Sequence, residues 1–194
     1  MNLSKQDLYS LEQYSELRGE YRAKVMAHKK NRAVPIGPNA TLYFEDRLTI
    51  QYQVQEMLRI EKIFDADGIN EELETYNPLI PDGNNFKATF MIEFGDENER
   101  RKALAAWIGI EKTTWVRVGN HDKVFAISNE DLERDNAQKT SAVHFMRFQL
   151  SDEMVKAACS GDAISAGIDL PAYMHRQQPL EERFQVAMRA DLNC

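Results

Sequence analysis

The positions in this sequence best suited to chemistry are a few carboxylates and one histidine set among large apolar residues. Glu45 follows Thr41 and Tyr43 on one expected strand, and Glu93 follows Thr89 and Met91 on the minor face of another. If those strands are neighbours, two carboxylates converge with Arg147 and His144 on one surface. Carboxylate oxygens and imidazole are suitable ligands for iron, manganese or zinc. The same group serves as a buried salt-bridge network that fixes strand register, and that account ranks first. Glu61 lies one helical turn from Met57, Leu58 and Phe64. A carboxylate there is either paired where it lies or belongs to a site, with an ion pair or a rim position the simpler account. His144 shares a strand face with Thr140, Ala142, Met146, Phe148 and Leu150, where a lone histidine is more often a satisfied core group than a ligand. Arg147 falls on the opposite face with Val143 and Phe145 and needs a carboxylate partner if covered. Arg59 stands three residues from Glu56 as a surface pair. In a metal-dependent reading, Arg147 or Arg59 would orient an anionic substrate.

Charge is unevenly spread. Arg18, Arg22, Lys24, Lys29, Lys30 and Arg32, with His28 among them, crowd the end of an expected helix. Cations suit a helix C-terminus, so a solvated end comes first and an anion or acidic-partner site second. The stretch 45–82 holds ten acids against Arg47, Arg59 and Lys62. Within it Glu71, Glu72 and Glu74 precede Tyr76-Asn77-Pro78 and offer an exposed docking edge for a partner. Two cysteines, Cys159 and Cys194, make neither a disulfide framework nor a zinc knuckle. Neither has a flanking basic group to favour its thiolate, so no cysteine nucleophile is expected. Glycine-rich phosphate loops, Glu-x-x-His, His-Glu-x-x-His, Cys-x-x-Cys and Gly-x-Ser-x-Gly are all missing, so any active site must be assembled from distant residues.

Several elements would position these groups. Leu11, Tyr14, Leu17, Tyr21 and Val25 recur at helical spacing within one long N-terminal helix, Lys5 to about Arg32, capped by Ser4 with Asp7. Val34-Pro35-Ile36-Gly37-Pro38 breaks it. A strand is expected at 41–45, helices at 49–64 and 69–76, and the strongest strand at 86–94, where Phe86, Ala88, Phe90, Ile92 and Phe94 alternate with polar positions. Asp96 opens a helix that Gly109 closes, and 115–118 with 123–127 read as a hairpin. The polar run 129–139 reads as a surface helix or loop. A strand at 140–150, a helix from Ser151 to Cys159 and a strand at 164–170 follow. An irregular segment at 171–178 then leads to a closing helix at 180–192. With no regular βα rhythm, the pattern predicts a single α+β domain over 1–194, a mostly antiparallel sheet with helices packed on it.

Composition narrows the function classes. The 194 residues carry 24 Lys+Arg against 31 Asp+Glu, a net charge of −7, which argues against nucleic acid as the main partner. With 43% apolar and 28% charged residues the chain is neither disordered nor fibrous. No apolar run approaches the roughly 18 residues of a membrane span, and the start has no signal-like apolar stretch. The expectation is a cytoplasmic protein with no membrane partner.

The strings Gln55-Glu56-Met57-Leu58-Arg59-Ile60-Glu61, Glu72-Leu73-Glu74-Thr75-Tyr76-Asn77-Pro78-Leu79-Ile80-Pro81 and Ser141-Ala142-Val143-His144-Phe145 resemble a bacterial domain-of-unknown-function family, number 3501, over most of the chain. The resemblance brings no activity and no catalytic residues. It implies company with rubrerythrin-type and iron–sulfur oxidoreductase proteins in bacterial redox or peroxide metabolism. The leading expectation is therefore an accessory binding protein for such a partner. A metal-dependent enzyme or sensor using some of Glu45, Glu61, Glu93 and His144 is the alternative.

Overall fold

The computed structural model describes residues 2–128, 130 and 138–194, so most of the polar run 129–139 lies outside the described residues. Ser4 and Asp7 cap each other as expected, but they close only the short 3-10 turn Lys5–Asp7. The long helix α1 (Leu11–Lys29) starts later, because Ser10 and Gln13 form a second capping box. The chain bends in extended conformation at Leu8 between the two starts. Helix α2 (Arg47–Glu61) is opened by Asp46, whose carboxylate accepts from the Thr49 amide, and α3 (Ala66–Tyr76) ends where Asn77-Pro78 begins a 3-10 turn. The remaining helices are α4 (Glu97–Ala106), the single turn α5 (Ile110–Thr113), α6 (Asp152–Cys159) and α7 (Glu182–Arg189).

The strands are β1 (Ala33–Pro35), β2 (Ala40–Phe44), β3 (Asn85–Ile92), β4 (Thr114–Val118), β5 (Val124–Phe125), β6 (Ile127–Ser128), β7 (Val143–Gln149), β8 (Ile164–Leu170) and β9 (Tyr173–Gln177). They form two antiparallel sheets, ordered β1-β2-β3-β7-β6 and β5-β4-β8-β9. The α+β class with a long N-terminal helix is therefore what the chain adopts, with two sheets in place of one. The expected hairpin at 115–127 explains the division. Its second arm splits at Ala126, so β5 pairs with β4 in one sheet and β6 with β7 in the other.

Alternation decides the core. Leu42, Phe44, Phe86, Phe90, Met146 and Phe148 project from the larger sheet into one cluster with Val116, Val118, Ile164 and Ile168 of the smaller. Phe184 and Met188 of α7 and Trp107 after α4 complete it. Each such aromatic, fully buried, contributes about 2–3 kcal/mol. A second cluster, with Ile50, Val54, Leu58, Ile69 and Leu73, fixes α2 against α3.

Away from the β5/β6 corner the outer strands β1 and β9 are joined by side chains. The Tyr173 hydroxyl donates to the Ile36 carbonyl at 2.8 Å and accepts from the Asn39 amide at 2.8 Å. Gln177 donates to the Pro35 carbonyl at 2.6 Å. Gly37 makes room: its φ is +75°, and a Cβ there would overlap the Tyr173 hydroxyl and the His175 ring. The segment 171–178, expected to be irregular, holds β9 instead. Its sequence Tyr-Met-His-Arg-Gln lacks alternation because this is an edge strand with one face in solvent.

The two cysteines, too few for a framework, form one disulfide, Cys159–Cys194, with Cα atoms 5.4 Å apart. It ties the last turn of α6 to the segment after α7. No helix among the described residues is long and apolar enough to cross a membrane.

Candidate functional site

Four polar side chains from four separate segments meet beside a cleft of about 490 Å³. His28 comes from the last turn of α1, Arg32 from the turn after it, Asp46 from the N-cap of α2 and Asp191 from the turn that follows α7. Asp46 is fixed by the cap itself, in which Thr49 donates its amide to Asp46 Oδ1 at 2.9 Å and accepts the Asp46 amide at 2.9 Å. That leaves Asp46 Oδ2 to face α1.

Arg32 is the hub. Its side chain is 4% exposed, and it grips Asp191 with both arms, at 2.8 and 2.9 Å. It also lies 3.0 Å from Asp46 Oδ2 and donates to the Ala187 carbonyl at 3.1 Å. Burial opposes the charge on Arg32, but the hydrogen bonds and charge of Asp191, with Asp46 and Glu45 behind, outweigh it and hold the guanidinium above its ordinary pKa. For Asp191 the balance falls the other way. Burial, helped by the charge of Asp46, pushes its carboxyl up to about 6 although Arg32 and His28 pull it down. At neutral pH the pair is ionised, but Asp191 is within reach of protonation.

His28 Nε2 lies 2.5 Å from Asp46 Oδ2 and 3.0 Å from Arg32 Nε. An Nε2 that accepts from Arg32 has no hydrogen for Asp46, and one that donates to Asp46 has no lone pair for Arg32. The two arrangements differ by the place of one proton. His28 Nδ1 makes no hydrogen bond among the described residues, and the ring lines the cleft. The far wall is Asp82-Gly83 against Asn193, where the Asn193 amide donates to the Gly83 carbonyl at 2.9 Å. Gly83 has φ +98°, and a Cβ there would overlap the Asn193 side chain. The arrangement can bind a small polar molecule and exchange a proton with it.

The four residues weighed as metal ligands lie apart. Glu45 and Glu93 do sit on neighbouring strands, but at opposite ends: the Glu45 amide bonds the Lys87 carbonyl and the Glu93 amide bonds that of Asn39. Six residues of strand put them about 20 Å apart. Buried Glu45 accepts from Thr89 at 2.7 Å and from Thr49 at 2.5 Å, and exposed Glu93 accepts from Thr41 at 2.8 Å and Tyr43 at 3.2 Å. His144 does not join them. It pairs across with Phe90 on the core face, fully buried, and its Nε2 is 2.9 Å from Thr140 Oγ1 and 3.1 Å from the Ser141 carbonyl. Glu61 is exposed at the end of α2 and does not enter the packed face. Among the described residues no three His, Cys, Asp or Glu side chains come together as a metal site.

Of the two arginines, Arg147 finds its carboxylate in Glu130, at 2.9 and 2.6 Å. Arg59 pairs with Glu56 at 3.1 Å as expected, and Glu56 is further held by Arg18 and by the Tyr14 hydroxyl at 2.7 Å. Those partners, Arg18 foremost, bring Glu56 down to about 2. Glu71 and Glu74 are exposed on α3, and Glu72 is half-buried, its pKa raised by burial and by the charges of Glu61 and Glu71. Of the candidate metal ligands, Glu45 alone borders the cleft cluster, through Thr49 and through its carbonyl, 3.5 Å from Arg32 Nη1. His28 and Arg32 stood in the basic run whose second reading was an anion or acidic-partner site, and Asp46 was one unnamed acid of the stretch 45–82. Asp191 left no signal, since it meets Arg32 across 159 residues.

The model of the family described as "Protein of unknown function (DUF3501)" matches residues 2–192. The chain belongs to this family. A DUF3501 chain of this kind is similar in structure to a novel protein of unknown function from Burkholderia pseudomallei, with a TM-score of 0.94 and 48% identity over 100% of each chain. No curated protein matches it.

Proposed function

We propose that this DUF3501 protein is an accessory binding module whose working site is the cleft beside His28, Arg32, Asp46 and Asp191. One observation carries the reading: His28, buried Arg32 and two carboxylates, linked to one another by short polar contacts, open onto a cleft large enough for a metabolite. The occupant it suits is a small polar molecule with both a donor and an acceptor, such as an amino acid or hydroxy acid, bound with transfer of a proton. Bacterial redox metabolism, in the cytoplasm, is the context that the sequence resemblance supports, and the exposed Glu71 and Glu74 would meet an oxidoreductase partner.

Titration of ¹⁵N-labelled protein with a panel of amino and hydroxy acids tests the site. The expected result is shifts confined to amides around His28, Asp46, Gly83 and Asp191, with a binding heat that depends on the buffer's ionisation enthalpy. A panel that leaves those amides unmoved at millimolar concentration overturns the site. Co-purification that recovers no oxidoreductase at any salt overturns the partner.

A further inference from the structure

We propose that the Cys159–Cys194 disulfide is a thiol–disulfide exchange site that loosens one wall of the cleft when a dithiol reduces it. The inference is independent of what the cleft binds. Cys194 is exposed and Cys159 half-buried, so an attacking thiolate reaches the Cys194 sulfur first. The dithiol forms a mixed disulfide on Cys194 and the Cys159 sulfur leaves as a thiolate. The second thiol of the reductant then attacks the mixed disulfide, freeing Cys194 and closing the reductant's own disulfide. Two electrons pass to the protein, and the two protons of the dithiol end on Cys159 and Cys194. A basic side chain from α7 packs on the turn that follows Cys159. Arg189 Nε bonds the Ala158 carbonyl at 3.0 Å, and its Nη2 bonds those of Gly161 and Asp162 at 3.3 and 3.1 Å. That guanidinium, paired also with Glu182 at 3.2 Å, holds the turn that follows Cys159.

The coupling to the cleft is a matter of chain length. Between Asp191, which holds Arg32, and Cys194 there are only two residues. Leu192 bridges Gly83, and the Asn193 amide bonds the Gly83 carbonyl, so the tethered tail is itself the cleft wall. Freed from α6, the tail keeps Leu192 and the Arg32–Asp191 pair but loses its covalent end. Local opening of 191–194 then becomes more frequent while the sheets stay closed.

The test compares the full chain oxidised, reduced with dithiothreitol, and as the Cys159→Ser/Cys194→Ser variant, by hydrogen exchange and by mass after N-ethylmaleimide under native conditions. Expected are two adducts after reduction and none before. Exchange at Asn193 should rise about tenfold or more, with β3 and β8 unchanged. The double variant should show the faster exchange with or without dithiol. Three results each overturn the proposal: a disulfide that dithiothreitol opens only in denaturant, two adducts with no change at Asn193, or unfolding of the sheets on reduction, which would make the bridge a staple only.

Discussion

Arg32 and Arg147 each grip a carboxylate with both arms, at similar distances, in different solvents. The side chains of Arg32 and Asp191 are 4% and 7% exposed, whereas those of Arg147 and Glu130 are 26% and 50% exposed. In water the attraction between such charges is offset by their hydration, and an exposed pair contributes little. Away from water the attraction is strong, but so is the penalty for stripping either ion, and removing one partner leaves the other uncompensated. Burial is thus what separates a rim contact from a site.

Asp191→Ala is the hardest test of that contrast. It leaves Arg32 buried with Asp46 and a carbonyl in place of two charge-assisted bonds, and should lower unfolding stability by about 3–5 kcal/mol in urea titrations. A loss no greater than that of Glu130→Ala would remove the distinction between the two pairs.

Asp191→Asn sharpens it. The burial that pushes Asp191 up to about 6 means that ionising this group is itself unfavourable. A folded-state pKa above the ordinary 3.8 makes the folded chain the better proton binder. Its contribution is full below about pH 4 and is lost as pH rises through about 6. The stability of the natural chain relative to Asp191→Asn should therefore fall by about 2–3 kcal/mol between pH 4 and pH 6.5. Carboxylates such as Glu56, whose pKa is depressed, act in the opposite direction, but they cancel in this difference. A flat difference curve would mean that Arg32 fully compensates the burial of Asp191.

The contrast also explains what could be read from the sequence. The even-numbered positions of β3 and β7, His144 included, announce a covered face because alternation is local. So do Asp96 and Ser151 as caps, whereas Gly109, expected to close α4, opens α5 two residues beyond the C-cap Trp107. The cleft cluster has no local pattern. His28 and Arg32 are one turn apart, yet their meaning depends on Asp46, brought in by the β2–α2 junction, and on Asp191, brought in by the far end of the chain. The strand acids drew attention because polar residues beside apolar ones look exceptional. Here Thr41, Tyr43, Thr49 and Thr89 already satisfy them.

Between the two ion pairs stands a buried contact without formal charge. Tyr173 is 5% exposed, and its hydroxyl serves both Ile36 and Asn39 across the β1/β9 seam. Tyr173→Phe keeps the ring against Trp107 and removes only the hydroxyl, orphaning one amide and one carbonyl. A loss of about 1–2 kcal/mol is expected, smaller than for Asp191→Ala because no charge is stranded. Faster hydrogen exchange at Asn39 would place the loss at the seam.

Glu130→Ala is the smallest effect and the complement of the first. Its carboxylate lies 2.6 and 2.9 Å from Arg147, and Arg147 keeps a second bond to Gln149 at 2.8 Å once the acid is gone. The hydrogen bonds and charge of Arg147 hold Glu130 below the usual carboxylate range, but both groups remain open to water that can replace the contact. The expected loss is below about 1 kcal/mol, and it should shrink further as salt is raised from 0.05 to about 0.5 M because exposed charges are screened. Salt should leave the Asp191→Ala deficit nearly unchanged, since no counterion reaches a guanidinium that is 4% exposed. A deficit that shrinks with salt in Glu130→Ala and stays constant in Asp191→Ala would show that access to solvent, and not bond geometry, sets the worth of each pair.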